Sequence, residues 1–502
     1  MRRRALLGLL GTALSAGCAA TGDTETEPTA TPAPVPGISA TATPASPTGS
    51  EGEPNQRNDW WSLVEFGTTP VTAALTKAGY RTPDGAEVTL RFGRTATDEH
   101  PATIRGVFRN ANPFANTFRL NALALFQPVP TAWPGGRPGD ADYTVHDELV
   151  LAPTDRHDIA LTVPELTLAS DDRWRLAGDV NGPWLPETKA LEPEETFRFE
   201  YAVAGRPQGR GFPRDSYHFE GHGEREVRID IWSTASPGPG DGSQFGGPEV
   251  SPLPDTERMA WFHEAGAETP VYLRPSAERV ELPAKIDFTL VNHSRDAVAG
   301  NPYFWRLWKQ VDDSWFHIAP VGWPLPLVRI PPGGRHESTL AAFATRPVDC
   351  EGGRAVGHLG EGHYAYEIGI GRDDVTHAAL VGFEASSVTI EPTDGLDVSR
   401  DGAEVRVNWP RRADDVPGAT LTLTRSDAAE RRLIPEQVMQ SRNVALRNTL
   451  PFLDADVDRV RLMTDRNTVS RGARTDGYED GTFRFRLRGE TYAASAQFGT
   501  GG

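Results

Sequence analysis

Apolar and polar residues alternate at period two through long stretches of this chain. Val88, Leu90 and Phe92 make one run, Phe197, Phe199, Tyr201 and Val203 a second, and Val227, Ile229 and Ile231 a third. Such spacing turns every second side chain to the same face, the mark of half-buried antiparallel strands. Turn formers stand between the runs, as in Asn110-Ala111-Asn112-Pro113 and Pro134-Gly135-Gly136. No helical stretch interrupts residues 60–232, so a β-sandwich is expected there. The strand rhythm returns over 270–390. Ile286, Phe288 and Leu290 share one parity and are followed by the turn-like Asn292-His293-Ser294-Arg295-Asp296. An aromatic strand at 303–310, a partner at 315–318 and further strands at 338–343 and 363–370 complete this second set.

Between the two sets, residues 234–247 are rich in Pro, Gly, Ser and Asp and read as linker. One or two helical turns are expected over 256–267. The last hundred or so residues are mixed: strands at 403–409, 419–424, 457–463 and 482–487, and a short amphipathic helix over 435–450 carrying Val438, Val444, Leu446 and Leu450. The expected class is mainly β, with tandem antiparallel sandwiches and a small β-rich or α+β C-terminal domain. Its boundaries are 59–233 for the first sandwich, 234–268 for the linker, 269–392 for the second and 393–502 for the last domain.

Residues 19–58 are Thr, Pro, Ala, Glu and Gly with few large apolar side chains. They bury too little to offset ordering entropy and predict an extended, disordered stalk. Before them, Arg2-Arg3-Arg4 precedes an apolar stretch that ends in Leu14-Ser15-Ala16-Gly17-Cys18. A span needs about 20 apolar residues, so residues 1–18 read as an export signal. The 502-residue chain carries a formal charge of -18, which opposes binding to nucleic acid. Its only lysines are Lys77, Lys189, Lys285 and Lys309. Two cysteines are present, Cys18 and Cys350, and the second reads as a small inert residue.

Several of these strings resemble known families. The apolar run closing at Cys18 resembles a bacterial or archaeal lipoprotein signal, which implies a lipid on Cys18 and a place on the outer face of the cytoplasmic membrane. Arg3-Arg4-Ala5-Leu6-Leu7 resembles the twin-arginine export motif, with Arg3 and Arg4 as the pair. The acidic, lysine-poor composition is similar to that of exported proteins of salt-loving archaea. Phe288-Thr289-Leu290-Val291-Asn292-His293-Ser294 resembles the opening of a bacterial immunoglobulin-like domain. So do Trp308-Lys309-Gln310-Val311-Asp312-Asp313-Ser314-Trp315, Ile330-Pro331-Pro332-Gly333-Gly334 and Gly360-Glu361-Gly362-His363-Tyr364. Val107-Phe108-Arg109-Asn110-Ala111-Asn112-Pro113 echoes the same Asn turn, so the first sandwich reads as a diverged copy.

Candidate chemistry is sparse. On a strand, His218, Glu220, His222 and Glu224 would share one face, a metal-capable arrangement, but Gly221 and Gly223 favour a turn. His358, Glu361 and His363 are irregularly spaced, and Asp454, Asp456 and Asp458 lack the glycine and glutamate of a calcium loop. Trp305, Trp308, Trp315 and Trp323 are dense enough for a binding platform, with Trp308 and Trp315 the named candidates. No nucleophile elbow, phosphate loop or dinucleotide fingerprint occurs in the sequence. The expectation is a non-catalytic surface lipoprotein without cofactor, whose partner is an envelope protein or polysaccharide. The alternatives are an extracytoplasmic metal-dependent enzyme using the His218–Glu224 string and a solute-binding lipoprotein.

Overall fold

The computed structural model describes residues 61–126, 149–179, 182–209, 216–221, 225–246, 250–348, 354–371, 375–409, 418–476 and 482–499. They form a mainly β architecture of two sandwiches in tandem and a smaller mixed domain, each around its own apolar core.

In the first sandwich a four-stranded sheet runs Ser62–Glu65, Val71–Leu75, Arg225–Ser233, Ser216–Gly221. It faces a larger sheet built on Ala86–Arg94, Thr103–Asn110 and Thr196–Gly205. The period-two pattern acts as expected: Ala86, Val88, Leu90 and Phe92 are buried while Thr89 and Arg91 are exposed. Phe108 sits in an aromatic nest, stacked on Phe197 at 4.8 Å and edge-on to Phe118 at 5.1 Å. Such offset and edge contacts stabilise a core beyond its buried area.

The second sandwich repeats the plan. One sheet orders Arg258–Trp261, Val375–Glu384, Gly362–Gly371, Val298–Val311, Ser314–Ala319. The other orders Val271–Pro275, Ala284–Asn292, Arg335–Ala342, Arg354–Val356. Their shared core includes Phe288, which stacks on Tyr366 at 3.9 Å.

The Asn turns of the two sandwiches are the same device. Asn292 is fully buried, and its Nδ2 donates to the carbonyls of Asp296, Ile330 and Pro331 at 2.9 to 3.1 Å. Asn110 is buried equally and donates to Phe114, Leu191 and Glu192 at the same distances. Each Asn carbonyl accepts from a residue of positive φ, Gly333 at 71° and Glu194 at 64°. Glycine takes that conformation freely; in the first sandwich a glutamate holds it against the usual preference. A sequence motif built on Pro-Pro-Gly-Gly therefore does not reveal Glu192-Pro193-Glu194-Glu195 as its counterpart.

The C-terminal domain is α+β. Its mixed sheet runs Asp397–Asp401, Glu404–Asn408, Arg459–Thr464, Ala419–Arg425, Glu490–Phe498, Thr482–Leu487, Arg431–Arg432. The helix expected over 435–450 is broken. Pro435–Met439 ends where Gln440 adopts an extended ψ of 152°, and Val444–Arg447 resumes beyond a 3-10 turn at Ser441–Asn443. A further helix, Arg466–Asp476, had no apolar stripe to announce it. Asp465 caps its first turn by accepting from Thr468 N at 3.0 Å, and Val469 is fully buried.

The expected linker also differs. Residues 258–261 pair in parallel with the strand Val375–Glu384, and a 3-10 turn follows at Phe262–Glu264. Phe245 and much of 250–261 belong to the second sandwich as a strap across the outer face of its larger sheet.

Candidate functional site

The strap decides the fate of the tryptophan platform. Trp305 and Trp308 point to opposite faces of their strand, yet both are buried, at 9% and 6% exposure. Trp305 enters the main core, while Trp308 packs with Leu253, Trp261, Ala378 and Leu380 under the strap. Its Nε1 donates to Glu367 Oε2 at 2.9 Å, and Arg306 holds the same carboxylate through two donors at 2.7 and 2.9 Å. Trp315 is half-buried, stacks on Trp261 at 6.0 Å and donates to Ser251 O at 2.8 Å. The expectation of Trp308 as part of a free ring platform is thus corrected, because a ring already covered cannot stack on a ligand, while Trp315 keeps part of its ring open beside Trp261. The available signal was the run of apolar side chains Leu253, Met259, Trp261 and Phe262 inside a segment read as linker.

His218 lies on the strand Ser216–Gly221, half-buried, while its neighbours Tyr217 and Phe219 are buried in the core. His222, Glu224 and the side chain of Glu220 lie outside the described residues, as do Cys18, Arg3, Arg4 and Cys350. Asp454 forms a local turn, its Oδ1 accepting from Asp456 N at 3.0 Å, with Arg400 at 3.6 Å. His363 packs edge-on to Phe245 of the strap at 5.4 Å. Among the described residues, the candidate His358 reaches a cleft.

That cleft, of about 970 Å³, lies between the second sandwich and the C-terminal domain. Trp305, His358, Glu391, Asp394, Trp409 and Arg447 are among its walls, with Arg346 and Arg471 exposed at the rim. Arg447 Nε donates to Glu391 O at 2.6 Å. Burial first, and then the Arg447 cation, holds the His358 imidazole below its ordinary range. Burial likewise lowers Arg447, with the Arg346 charge adding to the effect. Three cations and two carboxylates leave this cleft nearly balanced.

A second opening, of about 910 Å³, lies where the first and second sandwiches meet. Lys77 comes from the first sandwich just beyond Val71–Leu75, and Arg228 from Arg225–Ser233. The second sandwich contributes Tyr303, Arg329, Arg335 and Arg354 from four different strand regions. Glu337 is the one carboxylate among the described residues of the wall. Asp230, buried behind it, already takes Arg228 at 2.7 Å and Arg335 at 3.8 Å. Arg354 is positioned by neutral groups instead: it donates to Tyr366 Oη at 2.6 Å and Pro302 O at 2.9 Å. Among the described residues no carboxylate pairs with Arg329 or Arg354. His336 in the same wall has its imidazole lowered by burial and then by the Arg354 cation. This groove was not visible in the sequence, because its walls are assembled from residues as far apart as Lys77 and Arg354.

No protein-family model matches the chain, and no curated protein matches it. Among solved structures, a polysaccharide lyase aligns over 65% of this chain and 39% of its own length at 8% identity, with a TM-score of 0.13. The native form of Escherichia coli α2-macroglobulin aligns over 73% of this chain and 20% of its own at 10% identity, with a TM-score of 0.14. The elastase-activated form aligns over 73% and 29% at 12% identity, with a TM-score of 0.15. The chain thus spans well under half the length of these structures, and likenesses of that depth carry no argument about it.

Proposed function

We propose that this chain is a non-catalytic, lipid-anchored surface protein that binds a component of the cell envelope through the clefts between its β-domains. The supporting observation is the pair of open interdomain clefts, since ligand sites favour such junctions. The domains on either side are joined by buried contacts. Ile434 of the C-terminal domain sits in the core of the second sandwich, and Trp232 of the first stacks on His293 of the second. Clefts with walls held this way lose little ordering entropy when a ligand binds.

The anchor reading rests on the signal-like string before Cys18. Cys18→Ala is expected to release the protein from the membrane fraction, and retention of the variant there would refute attachment at this residue. Binding is tested with the full-length chain in detergent against washed envelope fragments. Saturable retention supports the module, and no retention at any ionic strength overturns it.

A further inference from the structure

We infer that the groove between the two sandwiches is a binding site for an acidic polysaccharide, an inference that rests on the envelope-binding reading and names its ligand. In a chain of formal charge -18, this groove gathers Lys77, Arg228, Arg329, Arg335 and Arg354 against Glu337, the single carboxylate among its described wall residues. Asp230 offsets part of that charge through Arg228 and Arg335, and among the described residues the four arginines alone still outnumber these two carboxylates. A local field of sign opposite to the net charge of the molecule concentrates anions there.

The kind of cation narrows the ligand. Four of the five are arginines, whose planar donor forks match carboxylate and sulfate groups two oxygens at a time. Arg354 is held in place by Tyr366 and Pro302, so its guanidinium is positioned before any ligand arrives. Beside it, the Tyr303 ring is 54% exposed, although it is a large apolar surface. An exposed ring next to fixed guanidiniums suits a chain that alternates apolar ring faces with acidic substituents, as acidic sugars do. Thr76, Ser338 and Thr339 add hydroxyl-bearing residues to the same wall. Duplex nucleic acid fits worse: with a charge every 1.7 Å or so, it meets the repulsion of the remaining surface along its whole length. A glycan with sparser charges places them only where the arginines stand.

The test is affinity electrophoresis of the full-length protein in detergent through gels containing polygalacturonate, dextran sulfate or neutral dextran. Retardation by either acidic polymer and not by neutral dextran is expected; comparing the two separates carboxylate from sulfate preference. Arg329→Glu should weaken that binding by roughly tenfold or more, and Tyr303→Ala by about 2- to 10-fold. Arg431→Glu, an equal charge reversal on the exposed strand Arg431–Arg432, should leave it unchanged. Equal loss in both reversals, no retardation by either acidic polymer, or displacement by duplex DNA as effective as by glycan would overturn the proposal. Envelope retention measured in parallel separates the two readings. Envelope binding that survives Arg329→Glu while both polymers fail sinks the groove and leaves the module standing.

Discussion

The second sandwich meets a neighbour at each end, and the two junctions are built from different physics. Toward the C-terminal domain the contact centres on a buried ion pair. Lys309 on Val298–Val311 and Glu436 on Pro435–Met439 form an ion pair with both side chains almost wholly buried, and the ammonium also lies 5.3 Å from the Tyr364 ring. Arg442 donates to His317 O at 2.6 Å, and Gln437 to the same carbonyl at 3.1 Å. Toward the first sandwich the contact is an aromatic stack with a polar fringe. Trp232 lies parallel to His293 at 5.0 Å, His293 Nδ1 meets Pro237 O at 2.6 Å, and Arg228 donates to Gly333 O at 3.0 Å. A buried pair is costly to disturb and fixes one geometry, whereas stacking leaves polar surface at its margin. The basic groove occupies that margin.

The comparison breaks most sharply at the buried pair. Glu436→Ala should destabilise the protein by about 3–5 kcal/mol, because it strands the Lys309 charge away from water. The double variant Lys309→Met with Glu436→Leu should recover most of that loss in the same thermal unfolding experiment. A single variant that unfolds like the parent would show that the pair does not hold the junction.

Acid should weaken the same junction next. Burial, aided by the Arg442 and Arg306 cations, lowers His317 from 6.5 to about 4. A lowered imidazole means that the unfolded chain binds more protons between these values. Stability is therefore fully present above pH 6.5 and drains away as pH falls toward 4, by about 3 kcal/mol. Chemical denaturation across that range should show His317→Gln with a flatter profile than the parent; parallel profiles would contradict the assignment.

At the other junction the effects are smaller. His293→Ala should cost about 1 kcal/mol, the worth of one stack and its hydrogen bond, read as a lower denaturation midpoint. Arg295→Ala removes a rim pair to Glu65 whose arginine is 70% exposed, and should change stability by less than about 1 kcal/mol. If Arg295→Ala outweighed His293→Ala, the polar fringe rather than the stack would carry this junction.

The legible part of the molecule is the part written locally. Ile286, Phe288 and Leu290 alternate because their strand has one wet and one dry face, and that relation survives any tertiary arrangement. The Asn292 turn was legible for the same reason, since Asn and Gly serve backbone conformations within a few residues. Asn110 was found by analogy, while its partner Glu194 was hidden because glutamate carries no signature for positive φ. The helix Arg466–Asp476 escaped because a short cap and one buried valine stabilise it, without a periodic apolar face.

The candidate site divides along the same line. The sequence by itself determined the tandem β-domains, their cores and the acidic surface, all of which follow from residue type and spacing. Only the tertiary structure decided which aromatic rings are covered, because Trp308 meets Leu253 and Trp261 through a strap some fifty residues earlier in the chain. Only it could bring Lys309 to Glu436, or set Lys77 beside Arg329 and Arg354. Burial and local charge depend on what folds over a residue, and period-two patterning is silent about what that will be.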